Sequence, residues 1–395
     1  MPLSTKAIRQ IAGLELNAFN FSNIMPDAFE GAQIKTTGTP IYDVNGTLLF
    51  RRFPLKRSRS SVGYADIAVN EVLGEPLLAT STGIEWREKA ILKEAVAAAV
   101  KKKRSLRFNK VRFVAYSYPK IAVQFLKGKK EVLMLEWMTW AEVSPATRVK
   151  RVLMQPSNFE RWSVIDEMPK NMKRSNIKKF KKRVAIWDSP KLKRIDTKVI
   201  TRKVFDRSRI ALKMVDRREV RYSPRSVDHQ PCYELRGQQT GVWCVAASVE
   251  MLLNFYRYQY SQVCLAEELD LGTCTNPNGL PYANVADVVT VIEDLTSNAL
   301  NATMYTNPSW SVFKNEIKAN RPLISFVPGH SRTVVGYTQT LVYLPSKLPF
   351  KGVLVYDPWP ATDCDHPNAG GVITRWENFN TQTYQFAYSA VLKHI

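Results

Sequence analysis

The residue with the richest chemical setting is Cys244. It stands where a polar, glycine-containing loop over 235–241 gives way to an apolar-periodic run, Val245, Val249, Leu252, Leu253 and Tyr256. That spacing predicts a helix that starts at the cysteine. Free N–H groups and the helix dipole favour a thiolate there, and the thiolate is the nucleophilic form. Judged by position alone, such a cysteine is more often a packed core thiol. Gln238, six residues upstream, changes the balance. From this loop its side-chain amide can point to the same spot as the backbone N–H of Cys244. Two donors converging on one point make an oxyanion hole.

A thiol nucleophile needs a base, and the chain has four histidines, His229, His330, His366 and His394. His394 adjoins the C-terminal residue. His366 lies in the turn-rich stretch 362–368, where with Asp363 and Cys364 it makes at most a fortuitous metal set; no metal and no cofactor are expected. His229 falls at the inferred domain boundary. His330 has a different context. Residues 323–327 read as a buried strand, Pro328-Gly329 interrupt it, and 333–337 open the next strand. Asp357 ends a further apolar strand, 352–356, and is followed by Pro358. A carboxylate there is expected to accept the Nδ1–H of His330 and fix its tautomer. Alone, His330 reads as a satisfied structural histidine and Asp357 as a turn. Arg332 is expected to point away from the site.

Taken in order, Gln238-x5-Cys244 entering a helix, Gly329-His330-x5-Gly336-Tyr337 and Tyr356-Asp357-Pro358 resemble the papain-like cysteine peptidases of the bacteriocin-processing type and their bacterial effector and secreted relatives. Trp243 and Ala246-Ala247 fit that pattern. Val245, where glycine or tryptophan is frequent, and Ser331-Arg332, where a hydrophobic residue is frequent, depart from it. The resemblance spans about residues 230–395. It implies an α+β fold in which a helix carrying the cysteine packs on an antiparallel sheet carrying the histidine and aspartate. It implies peptide or protein substrates, and hydrolysis through a thioester with Cys244, His330 and Asp357 as the catalytic set and Gln238 in the oxyanion hole. In many such enzymes an N-terminal segment covers the cleft until it is removed.

The elements ahead of the cysteine divide by composition. Residues 1–37 form a mixed lead-in. Residues 38–145 read as a small α+β domain with a hairpin turning on Asn45-Gly46, a strand at 63–69, a helix over about 85–103 and strands at 112–118, 121–125 and 131–137. This is similar to small cystatin-like prodomains. Residues 146–225 carry 25 Lys+Arg against 8 Asp+Glu and read as an extended basic connector. Residues 226–395 hold the candidate site. The formal charge of +22 is uneven: residues 226–395 hold 10 basic and 14 acidic groups, residues 1–225 hold 47 and 21. A basic segment attracted to an acidic domain is expected to act as its intramolecular inhibitor, which makes the chain a zymogen that processes itself. The competing readings are a Cys-His-Asp acyltransferase of the transglutaminase kind, and a nucleic-acid binder with an inactive peptidase-like domain. Nucleic acid is the less favoured partner, since no recognised binding motif accompanies the charge.

The chain lacks a run of about 18 apolar residues, so no membrane span is expected. Glu15 and the absence of a long apolar core near the N-terminus argue against a secretory signal, so a cytoplasmic location is expected, with export by another route left open. On that ground the cysteines beside Cys244, namely Cys232, Cys264, Cys274 and Cys364, are expected to be mostly reduced.

Overall fold

The computed structural model describes residues 4–21, 27–82, 85–143, 161–203, 211–220, 235–343, 347–359, 364 and 373–393. The expected boundary near 222–225, together with Cys232, His229, His366 and His394, lies outside them.

The N-terminal lead-in folds into helix α1 (Thr5–Phe21). It is buried on more than one side: Ile8, Ile11, Ala12, Leu14, Leu16 and Phe19 are all in cores. The sheet begins with β1 (Gln33–Ile34) and then the expected hairpin, β2 (Thr39–Asp43) and β3 (Leu48–Arg57). Gly46 turns it at φ +91°, a left-handed conformation that glycine adopts without penalty. β4 (Ser60–Ala68) and β5 (Leu77–Ser81) follow. Helix α2 (Glu88–Lys102) buries Ile91, Ala95 and Ala99 against the sheet. β6 (Lys110–Ser117), β7 (Lys120–Lys127) and β8 (Lys130–Glu136) complete this half. The sheet is not wholly antiparallel, since β2 runs parallel to β6.

The stretch expected to be an extended connector contains an 18-residue helix, α3 (Lys170–Trp187). Asn176, Phe180, Arg183 and Trp187 form its buried stripe at helical spacing, while Lys178, Lys179, Lys181 and Lys182 face solvent. Lysine is a good helix former, so the charge run favours the helix rather than opposing it. Further on, β9 (Ala211–Glu219) pairs with the C-terminal half.

That half contains α4 (Cys244–Phe255), α5 (Gln262–Glu268), α6 (Asp287–Leu295), β10 (Leu300–Thr306), α7 (Trp310–Lys318), β11 (Leu323–Val327), β12 (His330–Tyr343), β13 (Lys347–Asp357), β14 (Ile373–Asn378) and β15 (Phe386–Leu392). It is the expected α+β arrangement, with α4 against β11 and β12.

The two halves share one sheet, in the order β10-β15-β11-β12-β13-β14-β5-β4-β3-β2-β6-β7-β8. β14 pairs with β5 through Arg375 opposite Ser81, Trp376 opposite Thr80 and Glu377 opposite Ala79. Every residue of β5 is buried, so its backbone groups need a strand on each side, and β14 supplies the second. Among the described residues no helix is long and apolar enough to cross a membrane.

Candidate active site

Cys244 is the first residue of α4, as its sequence setting predicts. The loop ahead of it is held from within the C-terminal half. The Gln262 amide accepts from Gln239 N–H (2.9 Å) and donates to the Gly237 carbonyl and to Glu250 (both 2.8 Å). Trp243, fully buried, donates from Nε1 to the Leu271 carbonyl at 2.9 Å. The first turn of α4 is joined to β12 by Ser331 Oγ on Ser248 Oγ (3.0 Å), while Ser248 Oγ donates to the Cys244 carbonyl (2.7 Å).

Gln238 lies in this loop and is buried. Its backbone N–H donates to the Pro358 carbonyl (2.9 Å), tying the cysteine loop to the loop after Asp357. Its Nε2 donates to the carbonyl of Thr240 (2.7 Å).

His330 opens β12 directly after the Pro328-Gly329 turn, and Asp357 closes β13. Gly329 has φ +69°, and a Cβ there would meet Trp162 at 2.7 Å and Ser117 Oγ at 2.8 Å. Glycine is therefore required by both conformation and space. The imidazole and carboxylate meet with Nε2 of His330 2.6 Å from Oδ1 of Asp357, both side chains fully buried. The nitrogen facing the carboxylate is thus Nε2 and not the expected Nδ1. Nδ1 makes no hydrogen bond among the described residues. Nδ1 is the nitrogen left for chemistry, because Cys244 and His330 line the same cleft.

Asp357 is fixed by two further partners. Trp359 N–H reaches Oδ1 at 3.1 Å, and Arg375 pairs with Oδ2. Burial works to raise its pKa, but the pairing with His330 and the charge of Arg375 overcome this and hold it well below the usual carboxylate range. Arg332 does not point away. Residues two apart on a strand share a face, so Arg332 lies on the His330 side and pairs with Glu377 at 2.7 Å, with both side chains buried. Glu377 also lies 3.6 Å from Arg375. Sequence spacing alone held the signal for Arg332; nothing in the local sequence pointed to Arg375.

Burial pushes the Cys244 thiol up, opposed by Lys120 and by backbone N–H groups of Ser331 and Val245. Burial lowers His330 to about 4, only partly offset by Asp357, and Lys120 and Arg332 lower it further. The resting pair is therefore thiol and neutral imidazole.

The cleft continues along Leu280, Tyr282, Val285, Phe326 and Phe386, an apolar wall beside the polar pair. Behind Asp357, Trp359 donates from Nε1 to Glu136 of β8 (3.2 Å). Burial raises Glu136 to about 7, against hydrogen bonds from Thr139, Met138 and Trp359.

Contrary to the expectation of reduced thiols, Cys274 and Cys364 form a disulfide, whose Cα atoms are 6.2 Å apart. Both pack against the core beneath α4, which brings residues 90 apart together. Cys244 and Cys264 are the free cysteines among the described residues. Those residues contain no cluster of metal-ligating side chains.

No curated protein matches the chain. Residues 229–384, which include Gln238, Cys244, His330 and Asp357, match the model of the Peptidase_C39 like family, and in this segment the chain is similar to papain-like cysteine peptidases, hydrolases of peptide bonds.

Proposed function

We propose that the chain is a cysteine endopeptidase with Cys244 as nucleophile, His330 as base and acid, and Asp357 as the group that orients the imidazole. One observation carries the reading: a buried His330 anchored to Asp357 through Nε2, its Nδ1 free to face a cleft shared with a helix-initial cysteine. The family match of the same segment supports it.

In this mechanism the Cys244 proton passes to His330 Nδ1 as sulfur attacks the peptide carbonyl. The Cys244 N–H faces the developing oxyanion. Gln238 joins it when substrate binding draws its amide away from the Thr240 carbonyl. The Nδ1 proton then goes to the leaving amine as the C–N bond breaks, which leaves a thioester. Water, deprotonated by His330, cleaves the thioester and restores the thiol.

Self-processing between about 146 and 235 fits the same reading. The continuous sheet gives it a particular outcome: a cut chain keeps β5 on β14, and the N-terminal piece stays bound. Purified protein followed over time on a gel, beside Cys244→Ala, tests both statements. Wild type hydrolyses an added peptide substrate and is cut to two fragments that co-elute in native gel filtration. Cys244→Ala stays whole, keeps its fold and loses at least about 10³-fold in peptide hydrolysis. Retained hydrolysis in that variant would falsify the assignment. Added amine appearing in the product in place of water would turn the reading to acyl transfer.

A further inference from the structure

The turn between β6 and β7 belongs to the N-terminal half, yet it rests on the turn that carries His330. Ser117 Oγ donates to the Pro328 carbonyl (2.7 Å), and the ammonium of Lys120 donates to the Gly329 carbonyl (2.9 Å). Trp162 is bound to the same region, its N–H on the Tyr116 carbonyl at 2.6 Å, and it crowds Gly329. Lys120 is 8% exposed, lies 5.4 Å from the Trp359 ring, and lines the same cleft as Cys244 and His330.

We propose that Lys120 is a working part of the Cys244 site, supplied by the N-terminal half: its ammonium is the fixed positive charge that stabilises the Cys244 thiolate. This rests on the peptidase reading above and extends it. A long, flexible side chain is an unreliable charge when free, but hydrogen bonding to Gly329 on one side and the indole face of Trp359 on the other fix this one. Lys120 and His330 are both buried, so this charge acts through a lower effective dielectric than that of a surface lysine. The charged groups around the pair are Lys120 from β7, Arg332 from β12, Asp357 from β13 and Arg375 from β14. Of the cations, Lys120 is the one that bears on the sulfur, where it works against burial and against Asp357. It also disfavours protonation of His330, so its benefit lies at the sulfur and not at the imidazole.

The test is the pH profile of Cys244 alkylation by iodoacetamide, read peptide by peptide by mass spectrometry with Cys264 as internal reference. In Lys120→Met the midpoint for Cys244 moves up by about one unit, the size expected on losing a nearby opposite charge. Lys120→Arg restores the wild-type midpoint. A Lys120 that only tethers the turn would lower thermal stability in Lys120→Met and leave the midpoint in place, which overturns the proposal. A rise in peptide hydrolysis in Lys120→Met overturns it too, since an obstructing lysine gives that result. If wild-type Cys244 alkylates no faster than Cys264 at any pH, the peptidase reading itself fails; if it alkylates preferentially and Lys120→Met matches it, only the role of Lys120 fails.

Discussion

The two sides of the cleft are built differently. The Cys244 side is held mostly from nearby: its loop is pinned by Gln262, Leu271 and Glu250, all within 28 residues of the cysteine, and its longer bonds, Gln238 to Pro358 and Ser331 to Ser248, stay within the C-terminal half. The His330–Asp357 side is braced from far along the chain. Ser117 and Lys120 hold its turn, Glu136 holds Trp359, and Arg375 reaches Asp357 from the strand that pairs with β5. The nucleophile is thus positioned by its own neighbourhood, while the base is positioned by the junction of two halves. Damage to the N-terminal half should therefore displace the base before it displaces the nucleophile, whatever it does to the charge around the thiol.

The largest effect that would sharpen this contrast comes from Asp357→Asn. With the carboxylate gone the imidazole loses its fixed tautomer, and peptide hydrolysis should fall about 10³–10⁴-fold while Cys244 still alkylates. Simultaneous loss of alkylation would mean that the two sides are not separable. Next is a matched pair in urea unfolding. Arg375→Met leaves the Oδ2 of buried Asp357 without its partner, while Glu377 keeps Arg332, and should cost about 3–5 kcal/mol. Gln262→Ala leaves the Gly237 carbonyl and the Gln239 N–H unmatched and should cost about 1–3 kcal/mol. Equal costs would break the comparison.

The smallest effect is in the pH dependence. His330 titrates in the fold near 4, below its ordinary value of 6.5. Between those values the unfolded chain takes up a proton that the folded chain refuses, so stability declines as pH falls from 6.5 to about 4. Glu136, raised to about 7, acts in the opposite sense over much of the same window. The difference between wild type and His330→Asn isolates the histidine contribution: the wild type should lose stability relative to the variant on acidification. A flat difference would place His330 in contact with water.

Much of this was legible in the sequence. The Asn45-Gly46 hairpin, the β6–β8 strands and the helix from Cys244 all follow from local turn chemistry and periodicity. The grouping of Cys244 with His330 and Asp357 followed from order and context. What could not be read was whatever depends on pairing across long separations. α1 has apolar residues around most of its circumference, which blurs its period. In α3 four buried side chains are outnumbered by exposed lysines, so the sequence reads as an extended basic connector. Lys120 follows Tyr118-Pro119 at a hairpin turn, where a lysine is ordinarily a solvent-facing residue; only the fold carries it to Gly329.

The joint sheet also governs what a shortened chain would be. A protein begun at residue 226 keeps every residue of the candidate triad, yet it lacks β5 and β9. The edge of β14 over Arg375–Glu377 and the edge of β12 over Gly336–Tyr343 would then be bare. Two open rows of backbone donors and acceptors invite pairing between molecules. The separately expressed C-terminal half is thus an aggregation-prone object, and the N-terminal half serves it as a solubility element whatever else it does.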